Sequence, residues 1–437
     1  MPRPAFHARS VVVGLMSCAL FLAATSCQWA PLDVEGPADS QLVVSDLPRD
    51  MNPQVPGQQV SDLVKGNSEF AFELLKELSA DAENVFFSPY SISLALAMTY
   101  AGAKGTTETQ MGDVLHFNPT GQGIHPILNW LDLQLDERDQ VSPPSEGDGF
   151  ELSVANAVWG QEGYGFLEDY LDTLAVNYGA GLQLIDFTGN PEGSRITIND
   201  WVSDETGGKV EDLLPPTAID ADTRLVLANA IYFKAPWLKP FDEAETRNEP
   251  FTTLAGPSVA VPMMQRDETC PYARFDIGQA VELPYNGEKV AMLLLVPDEG
   301  QYETFEAGLD IDRYEGIVAA LQDQRVDLDL PKFGFSYDVA LPNHLKDLGM
   351  TDAFMPGAAD FSGMNGSREL FISDVLHKAF ITVNEAGTEA AAATAVVVSP
   401  TADLGTPVVL TIDRPFLFVI RDIPTGIILF VGRVLSP

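Results

Sequence analysis

The residues that most often carry enzyme chemistry are sparse in this 437-residue chain. Only five histidines occur, and the sequence contains no H-E-x-x-H, G-x-S-x-G or C-x-x-C pattern. The segment TGGKV lacks the Ser or Thr that must follow the Lys of a phosphate-binding loop. In DIDRYEG, Glu315 stands where a calcium-binding loop needs Gly to turn the chain. The sequence therefore predicts neither an enzyme nor a protein that holds a metal ion or another cofactor.

The chain has three cysteines, Cys18, Cys27 and Cys270. The first two lie in a segment that predicts export, and none predicts catalysis. Two arginines, the apolar run VVVGLMSCALFLAA and then small residues predict a secretory signal peptide over residues 1–27. Its ending, LAATSC, resembles a bacterial lipobox, in which the Cys becomes the lipidated first residue; an ordinary signal peptide cleaved elsewhere is the alternative. Cys270 would then be the single remaining thiol, and a lone Cys is more often packed in a core than reactive.

An unusual stretch, NEAGTEAAAATAVVVSPTADLGTP, runs from Asn384 to Pro407 after the strand-like run LFISDVLHKAFITV. Loops usually contain Gly, Pro, Asn and Asp at short intervals, because these residues supply the geometry of turns. Here nine residues between Glu389 and Ser399 have neither a charge nor a turn former. The stretch has the composition of a strand without an obvious sheet to join.

The rest of the chain mixes helical and strand-like segments without a regular βαβ rhythm. SISLALAMTYAGA is apolar nearly all round, as expected of a buried helix, whereas LSVANAVWG, TRLVLANAIYF, VAMLLLVP and GIILFVGRV are typical of strands. This mixture predicts an α+β fold with large, mostly antiparallel sheets. Residues 28–58 are rich in Pro, Asp and Gln and have no sustained period, which predicts a flexible linker before a folded domain at 59–437.

The net charge of −38, from 63 acidic and 25 basic residues, limits the partners of the protein. Such an excess of negative charge repels nucleic acid and heparin-like polyanions, and it gives no attraction to anionic lipid. We therefore expect no nucleic-acid or heparin site, and contact with membrane lipid only through a lipidated Cys27.

Seven segments, in chain order, resemble the serpin family over about residue 60 to the C-terminus. They are NVFFSPYSISLALAMTYAGAKGTTETQM, LSVANAVWG, INDWVSDETGGKVEDLL, LANAIYFKAPWLKPF, LPKFGFSYDVALPNHLKDLGM, DVLHKAFITVNEAGTEAAAAT and DRPFLFVIRDIPTGIILFVGRVLSP. The resemblance implies the serpin fold: helices around large sheets, with an exposed reactive loop. It also implies a monomer that traps a serine protease covalently: the protease cuts the loop, which then inserts into a sheet as an extra strand.

The resemblance assigns the start of the stretch at 384–407 as the hinge of this reactive loop. The hinge residues are Glu385, Gly387, Thr388, Glu389, Ala390, Ala391, Ala392 and Ala393. In an inserted strand alternate side chains face the core. With Thr388 as the first of them, the inward set is uncharged and either small or β-branched: Thr388, Ala390, Ala392, Thr394, Val396 and Val398.

The family's spacing places the scissile bond at Thr401-Ala402, with Leu404-Gly405 as the second choice. No Lys or Arg occurs from Ala379 to Asp413, so a trypsin-like protease would lack an anchor for its acidic pocket. A small, β-branched residue before the cut favours an elastase-like serine protease over a papain-like cysteine protease.

Other matching positions are expected to control strand movement. Ser88, Ser91, Asn229 and His377 match the polar shutter beneath the middle of the sheet, and Trp237 matches the breach where the loop enters. The alternative for His377 is an ordinary hydrogen-bonded core histidine.

Two other functions stay open at the level of sequence. A serpin scaffold without inhibitory activity could act as a lipid-anchored binding protein, and a hydrolase could use an unrecognised motif. In each case the signal peptide predicts an exported protein, either a lipoprotein of the outer membrane or cell surface or an extracellular protein.

Overall fold

The computed structural model describes residues 37, 39–80, 82–140, 151–389 and 406–437. The chain from Gly36 to Pro437 forms one compact unit. Its described helices are α1 (Gly57–Leu78), α2 (Pro89–Tyr100), α3 (Gly105–Val114), α4 (His125–Gln140), α5 (Glu168–Tyr178), α6 (Pro191–Glu205), α7 (Tyr302–Ala307), α8 (Ile311–Ala320), α9 (Pro342–Asp347) and α10 (Ser362–Asn365). None of these described helices is both long and apolar enough to cross a lipid bilayer.

Sixteen described strands form two sheets. Sheet A has seven strands in the order β1 (Gln41–Val43), β4 (Leu182–Ile185), β3 (Glu151–Gln161), β5 (Leu225–Pro236), β13 (Gly387–Thr388), β12 (Ile372–Val383) and β11 (Phe333–Ala340). Sheet B has nine: β14 (Val408–Thr411), β10 (Gln322–Pro331), β7 (Ser258–Phe275), β8 (Gly278–Pro284), β9 (Val290–Pro297), β15 (Phe416–Asp422), β16 (Ile428–Val434) and β2 (Val85–Phe87), with β6 (Arg247–Thr252) paired to β7.

Most neighbouring strands of both sheets are antiparallel. Among the described strands, the parallel pairs are β3 with β4, β5 with β12, and β10 with β14. Helices surround these sheets without alternating regularly with the strands. The predicted α+β fold with large, mostly antiparallel sheets is confirmed.

Helix α2 lies between the two sheets, where it contacts β3 and β5 of sheet A and β16 of sheet B. It begins at Ser88, whose hydroxyl accepts a hydrogen bond from the N–H of Ser91 at 3.1 Å, and Pro89 takes the first helical position. All twelve residues of α2 are buried, as its apolar sequence predicts. This face of sheet A, covered by α2, is the core face.

Helix α6 covers the opposite face of sheet A. Asn190 caps its first turn, and Gly207 and Gly208, with φ of 58° and 76°, end it in the left-handed region that glycine adopts most easily. Ile198 and Val202 of α6 share an apolar cluster with β5 and β12. Helix α6 itself contacts β3 and β5, and the residues that follow it extend the apolar cluster to Leu376 of β12.

The linker prediction for residues 28–58 is wrong for its second half. Residues 39–56, called the strap below, lie along the outer edge of sheet A, where β1 pairs with β4. Arg49 forms an ion pair with Asp132 of α4 at 2.6 Å and donates from Nε to Asn129 at 2.8 Å. Contacts with residues far away in the sequence hold this segment in place, and a local sequence pattern cannot predict such contacts. The folded body thus begins before residue 59.

Candidate functional site

The junction between β5 and β12 in sheet A, called the seam below, differs in its two halves. From Leu225 to Tyr232, β5 pairs directly with β12 in parallel register, ending at the pair Tyr232 and Phe380. Beyond that pair β13 lies between the two strands, antiparallel to both, with Thr388 opposite Ala235 on one side and Val383 on the other. The lower half of the seam is closed, and the upper half holds an inserted strand of two residues.

A tight turn at 384–387 reverses the chain between β12 and β13. Asn384 closes this turn, because its N–H donates to the carbonyl of Gly387 at 2.9 Å and its Oδ1 accepts from the N–H of Ala386 at 2.9 Å. A Cβ at Gly387 would lie 2.2 Å from the backbone oxygen of Ala235. Only glycine allows the returning strand to approach β5 this closely.

Thr388 is fully buried on the core face of sheet A. Its hydroxyl shares a 2.6 Å hydrogen bond with the hydroxyl of Tyr285. Trp237 stacks on Tyr285 at 4.6 Å between ring centroids, and its indole N–H donates to Asn384 O at 3.0 Å. From the sequence we expected Thr388 to enter the sheet only after cleavage, and this expectation is wrong. The side chain is already inserted in the intact chain, because Tyr285 supplies a hydrogen-bond partner there.

Glu385 fixes the turn to two residues that flank strands of sheet B, Lys332 after β10 and Thr246 before β6. Its carboxylate accepts from Lys332 and from the hydroxyl of Thr246, both at 2.7 Å. Burial acts to raise the pKa of the Glu385 carboxyl, but the hydrogen bonds from Lys332 and Thr246 outweigh it and hold the pKa below its usual value. The ionised carboxylate therefore stabilises the turn at neutral pH.

A row of polar side chains crosses the closed half of the seam. The register aligns Asn156 of β3, Asn229 of β5 and His377 of β12 on the core face, above the first turn of α2. Asn229 donates from Nδ2 to Asn156 Oδ1 and, at 2.6 Å, to the hydroxyl of Ser91. Parting β5 from β12 would leave buried polar groups unpaired, at about 1–3 kcal/mol each, unless new partners replace the old.

His377 is the member of this row that ties β12 to both β5 and α2. Its Nε2 accepts from the N–H of Ser88 at 3.3 Å, so its Nδ1 carries the hydrogen and donates to Asn229 Oδ1. Complete burial lowers the pKa of His377 to about 3. The ring is thus neutral at physiological pH, as its acceptor role requires.

The sequence model of the family described as serpin (serine protease inhibitor) matches residues 65–437. The chain belongs to the serpin family. It is 40% identical to a serpin-like protein of Thermococcus kodakarensis, over 92% of this chain and 91% of the other. It is 36% identical to mouse antithrombin-III, over 88% and 84%, and 36% identical to rat leukocyte elastase inhibitor A, over 86% and 100%.

Two solved serpin structures resemble the fold described above. Uncleaved ovalbumin gives a TM-score of 0.76 at 30% identity, covering 86% of this chain and all of that one. The native state of the thermophilic serpin tengpin gives 0.78 at 28% identity, covering 90% and 98%. Members of this family inhibit proteases rather than catalyse a reaction, so this serpin is not an enzyme.

The described residues that the sequence singled out lie along the seam of this serpin. Ser88, Ser91, Asn229 and His377 meet in its closed half, and Trp237 covers its upper end beside the hinge residues 385–389. Their control of strand movement stays a prediction. Other assigned residues lie outside the described part of the chain: Cys27, Ala390, Ala391, Ala392, Ala393, Thr401, Ala402, Leu404 and Gly405.

Sequence reasoning missed three partners of these residues. Asn156 and Lys332 lie in two of the segments that resemble serpins, but the resemblance assigned them no role, and Tyr285 follows a strand-like run outside those segments. Their importance depends on strand register and on contacts between sheets. The amide side chain among the small and apolar residues of LSVANAVWG was the one available signal for Asn156.

Cys270 and the carboxylates offer no rival site. Burial is the main cause that raises the pKa of the Cys270 thiol to about 12, which keeps it protonated. Within the described ranges, no group of three or more His, Cys, Asp and Glu side chains is placed to hold a metal ion.

Proposed function

We propose that this serpin is a serine-type endopeptidase inhibitor that acts as a suicide substrate. The protease would cut the reactive loop and stay attached to it as an acyl-enzyme while the loop inserts into the seam. The observation that carries this proposal is strand β13, the two residues already paired with both β5 and β12.

The preformed turn at 384–387 favours fast insertion. Forming the first contacts of a new element costs the most conformational entropy, since several residues are fixed for little gain. Here the turn and the first paired residues exist before cleavage, so later residues can add one at a time. Speed matters because insertion competes with hydrolysis of the acyl-enzyme, which would release an active protease.

The register of β13 also predicts what each inserted residue would meet. Six residues beyond Thr388 comes Thr394, and six residues back along the two neighbouring strands are Asn229 and His377. Thr394 is on the inward set, so its hydroxyl would reach the buried pair that insertion separates. A hydroxyl can donate and accept, and it would replace part of the lost hydrogen bonding.

The target is proposed to be an elastase-like protease that cuts at Thr401-Ala402, with Leu404-Gly405 as the second choice. A panel of purified serine proteases of elastase-like, chymotrypsin-like and trypsin-like specificity tests this proposal. We expect an SDS-resistant complex with an elastase-like member, and cleavage mapped by mass spectrometry between Val398 and Leu404. Thr401→Arg should redirect the complex to trypsin-like proteases. If proteases cut the reactive loop and none forms a stable complex, the result would instead favour a non-inhibitory binding protein.

Lipid anchoring through Cys27 is proposed as the source of localisation at the cell envelope, with export by the signal peptide at 1–27. The test compares the membrane and soluble fractions of cells that express the natural protein or Cys27→Ser. We expect Cys27→Ser to leave the membrane fraction. If it stays bound, the lipobox interpretation is wrong and contact with the membrane has another cause.

A further inference from the structure

The segment that follows α6 covers the closed half of the seam, beyond the end of β13. Val210, Leu213 and Leu214 pack with Val226, Ala228 and Leu376 of the two seam strands. The side chain of Lys378 on β12 donates to the backbone oxygen of Glu211 at 2.6 Å. A strand that lengthens from β13 into the closed half must therefore displace this segment.

Lys209 lies at the start of that segment and contacts two residues near the end of β13, Glu389 and Tyr232. Its ammonium is 2.5 Å from Oε1 of Glu389, the residue directly after β13. The same ammonium lies 5.4 Å from the ring centre of Tyr232, a cation–π contact with the last residue of β5 that pairs directly with β12. The two left-handed glycines that end α6 turn the chain so that Lys209 reaches this place.

Glu389 has the backbone conformation that stops strand β13. Its φ of 48° is in the left-handed region, which costs a residue with a side chain free energy that other contacts must offset. Its N–H donates to the carbonyl of Thr382 at 2.7 Å, and its carboxylate is held by Lys209 with a side-chain exposure of only 16%. To continue the strand, Glu389 must rotate to an extended conformation beneath the segment that carries Lys209.

We propose that Lys209 is a positioning residue that arrests the uncut loop after Thr388. The ion pair with Glu389 has to open before the backbone can rotate, so it raises the barrier to further insertion. The uncut loop then stays available to a protease, with its first residues inserted and the remainder held back. This inference rests on the proposed inhibitory function for its benefit to the protein, but the arrest itself needs no protease.

A protease-free measurement tests the arrest. Uncut protein is held at a temperature several degrees below its unfolding midpoint, and the fraction still unfolding at that midpoint is followed with time. Loss of this fraction without chain cleavage reports insertion of the uncut loop. Lys209→Met and Glu389→Gln should speed the loss about two- to fivefold, the range expected for one partly exposed ion pair.

Control variants separate arrest from general destabilisation. Lys65→Met removes another ion-paired lysine, 3.9 Å from Glu69 and distant from the seam, and should leave the rate unchanged. Lys209→Arg keeps the charge and should behave like the natural protein, and the charge swap Lys209→Glu with Glu389→Lys should restore slow conversion. A Lys209→Met protein that persists as long as the natural one overturns the proposal, and so does a swap that converts as fast as the single variants.

The inhibitory function is assayed in parallel, as moles of serpin consumed per mole of protease trapped. If the natural protein traps no protease while the conversion rates follow the expected order, the proposed function fails and the arrest by Lys209 stands. If proteases are trapped and the conversion rates do not depend on Lys209, the arrest fails alone.

Discussion

The two halves of the seam are bounded by the same strands, β5 and β12, yet they are held together by different chemistry. The upper half is separated by two inserted residues and capped by the stacked rings of Trp237 and Tyr285. The lower half is closed by backbone pairing and by the polar row of Asn156, Asn229 and His377.

This difference gives the seam a direction of opening. An apolar interface between strands gains nothing from an inserted polar residue, whereas a polar row can exchange one hydrogen-bond partner for another. The upper half holds the start of a strand, and the lower half has groups that can receive its continuation. Loop insertion is therefore expected to proceed from the hinge downward.

Cleavage of the reactive loop should have the largest effect. Cutting between Val396 and Leu404 releases a segment that can fill the lower half, and about ten new residues paired on both sides should raise the thermal midpoint by about 10–20 °C. Melting curves recorded before and after limited proteolysis measure this. An unchanged or lower midpoint would mean that the released segment does not insert into the lower half of the seam.

Thr388→Arg should convert the inhibitor into a substrate. A charged side chain beside Tyr285 would have no partner in the core, so we expect the hinge of the uncut variant to leave the sheet. Insertion after cleavage would then have to bury this charge, at an effective cost of several kcal/mol, and about 1.4 kcal/mol already slows insertion tenfold. We expect the consumption of serpin per trapped protease to rise more than about tenfold. Thr388→Val is the matched control, because it keeps the shape and loses only the hydrogen bond. Stable complexes formed by Thr388→Arg at the natural ratio would contradict the role of the upper half.

Acid should weaken the protein through two buried histidines. Burial, with a smaller effect of Lys104, lowers the pKa of His125 to about 4, and burial lowers that of His377 to about 3. The unfolded state, with a histidine pKa of about 6.5, binds more protons, so this stability is complete above pH 6.5 and is lost as pH falls toward these values. At pH 5 the loss should be about 1–2 kcal/mol for each histidine.

His377→Gln tests which part of this acid effect belongs to the seam. It removes one titration and keeps a polar side chain, so the decrease in thermal midpoint between pH 7 and pH 5 should be about half that of the natural protein. His125→Gln should remove the other half without changing complex formation. A decrease that is the same in His377→Gln and in the natural protein would show that His377 does not titrate with unfolding.

Arg49→Ala should have the smallest effect, because Arg49 lies in the strap, outside both halves of the seam. Both side chains of its ion pair with Asp132 keep about one-fifth of their surface exposed, and Asp132 would retain the hydrogen bond from the Tyr90 hydroxyl. The loss should therefore cost about 1 kcal/mol and one or two degrees. Because the strap lies at the outer edge of sheet A, the stoichiometry of inhibition should not change. A change would mean that the edge strand moves during insertion.

The sequence could predict those parts of this molecule that depend on local pattern and ordered motifs. The apolar run of α2, the glycines that end α6 and the uncharged alternation from Thr388 are visible in the printed letters. Family resemblance placed Asn229 and His377 together, although they are far apart in the chain.

The rest depends on partners that only the folded chain brings near. Tyr285 stands 103 residues before Thr388, and no pattern links them, so early insertion of the hinge could not be foreseen. The strap has the composition of a linker, yet Arg49 meets a carboxylate 83 residues away. Composition reports the average tendency of a segment, and one well-placed ion pair and a short strand can override it.

If Cys27 carries a lipid as proposed, the ordered strap limits how far the folded body can lie from the membrane. A chain spans at most about 3.5 Å per residue. The residues between Cys27 and the strap at residue 39 would allow about 42 Å between a lipid anchor and the strap, against about 110 Å had the linker continued to residue 58. The volume accessible to the body scales with the cube of that length and would be about seventeenfold smaller. An anchored serpin of this kind would be concentrated in a thin layer above the lipid, where it would meet proteases that reach the cell rather than those in the surrounding fluid.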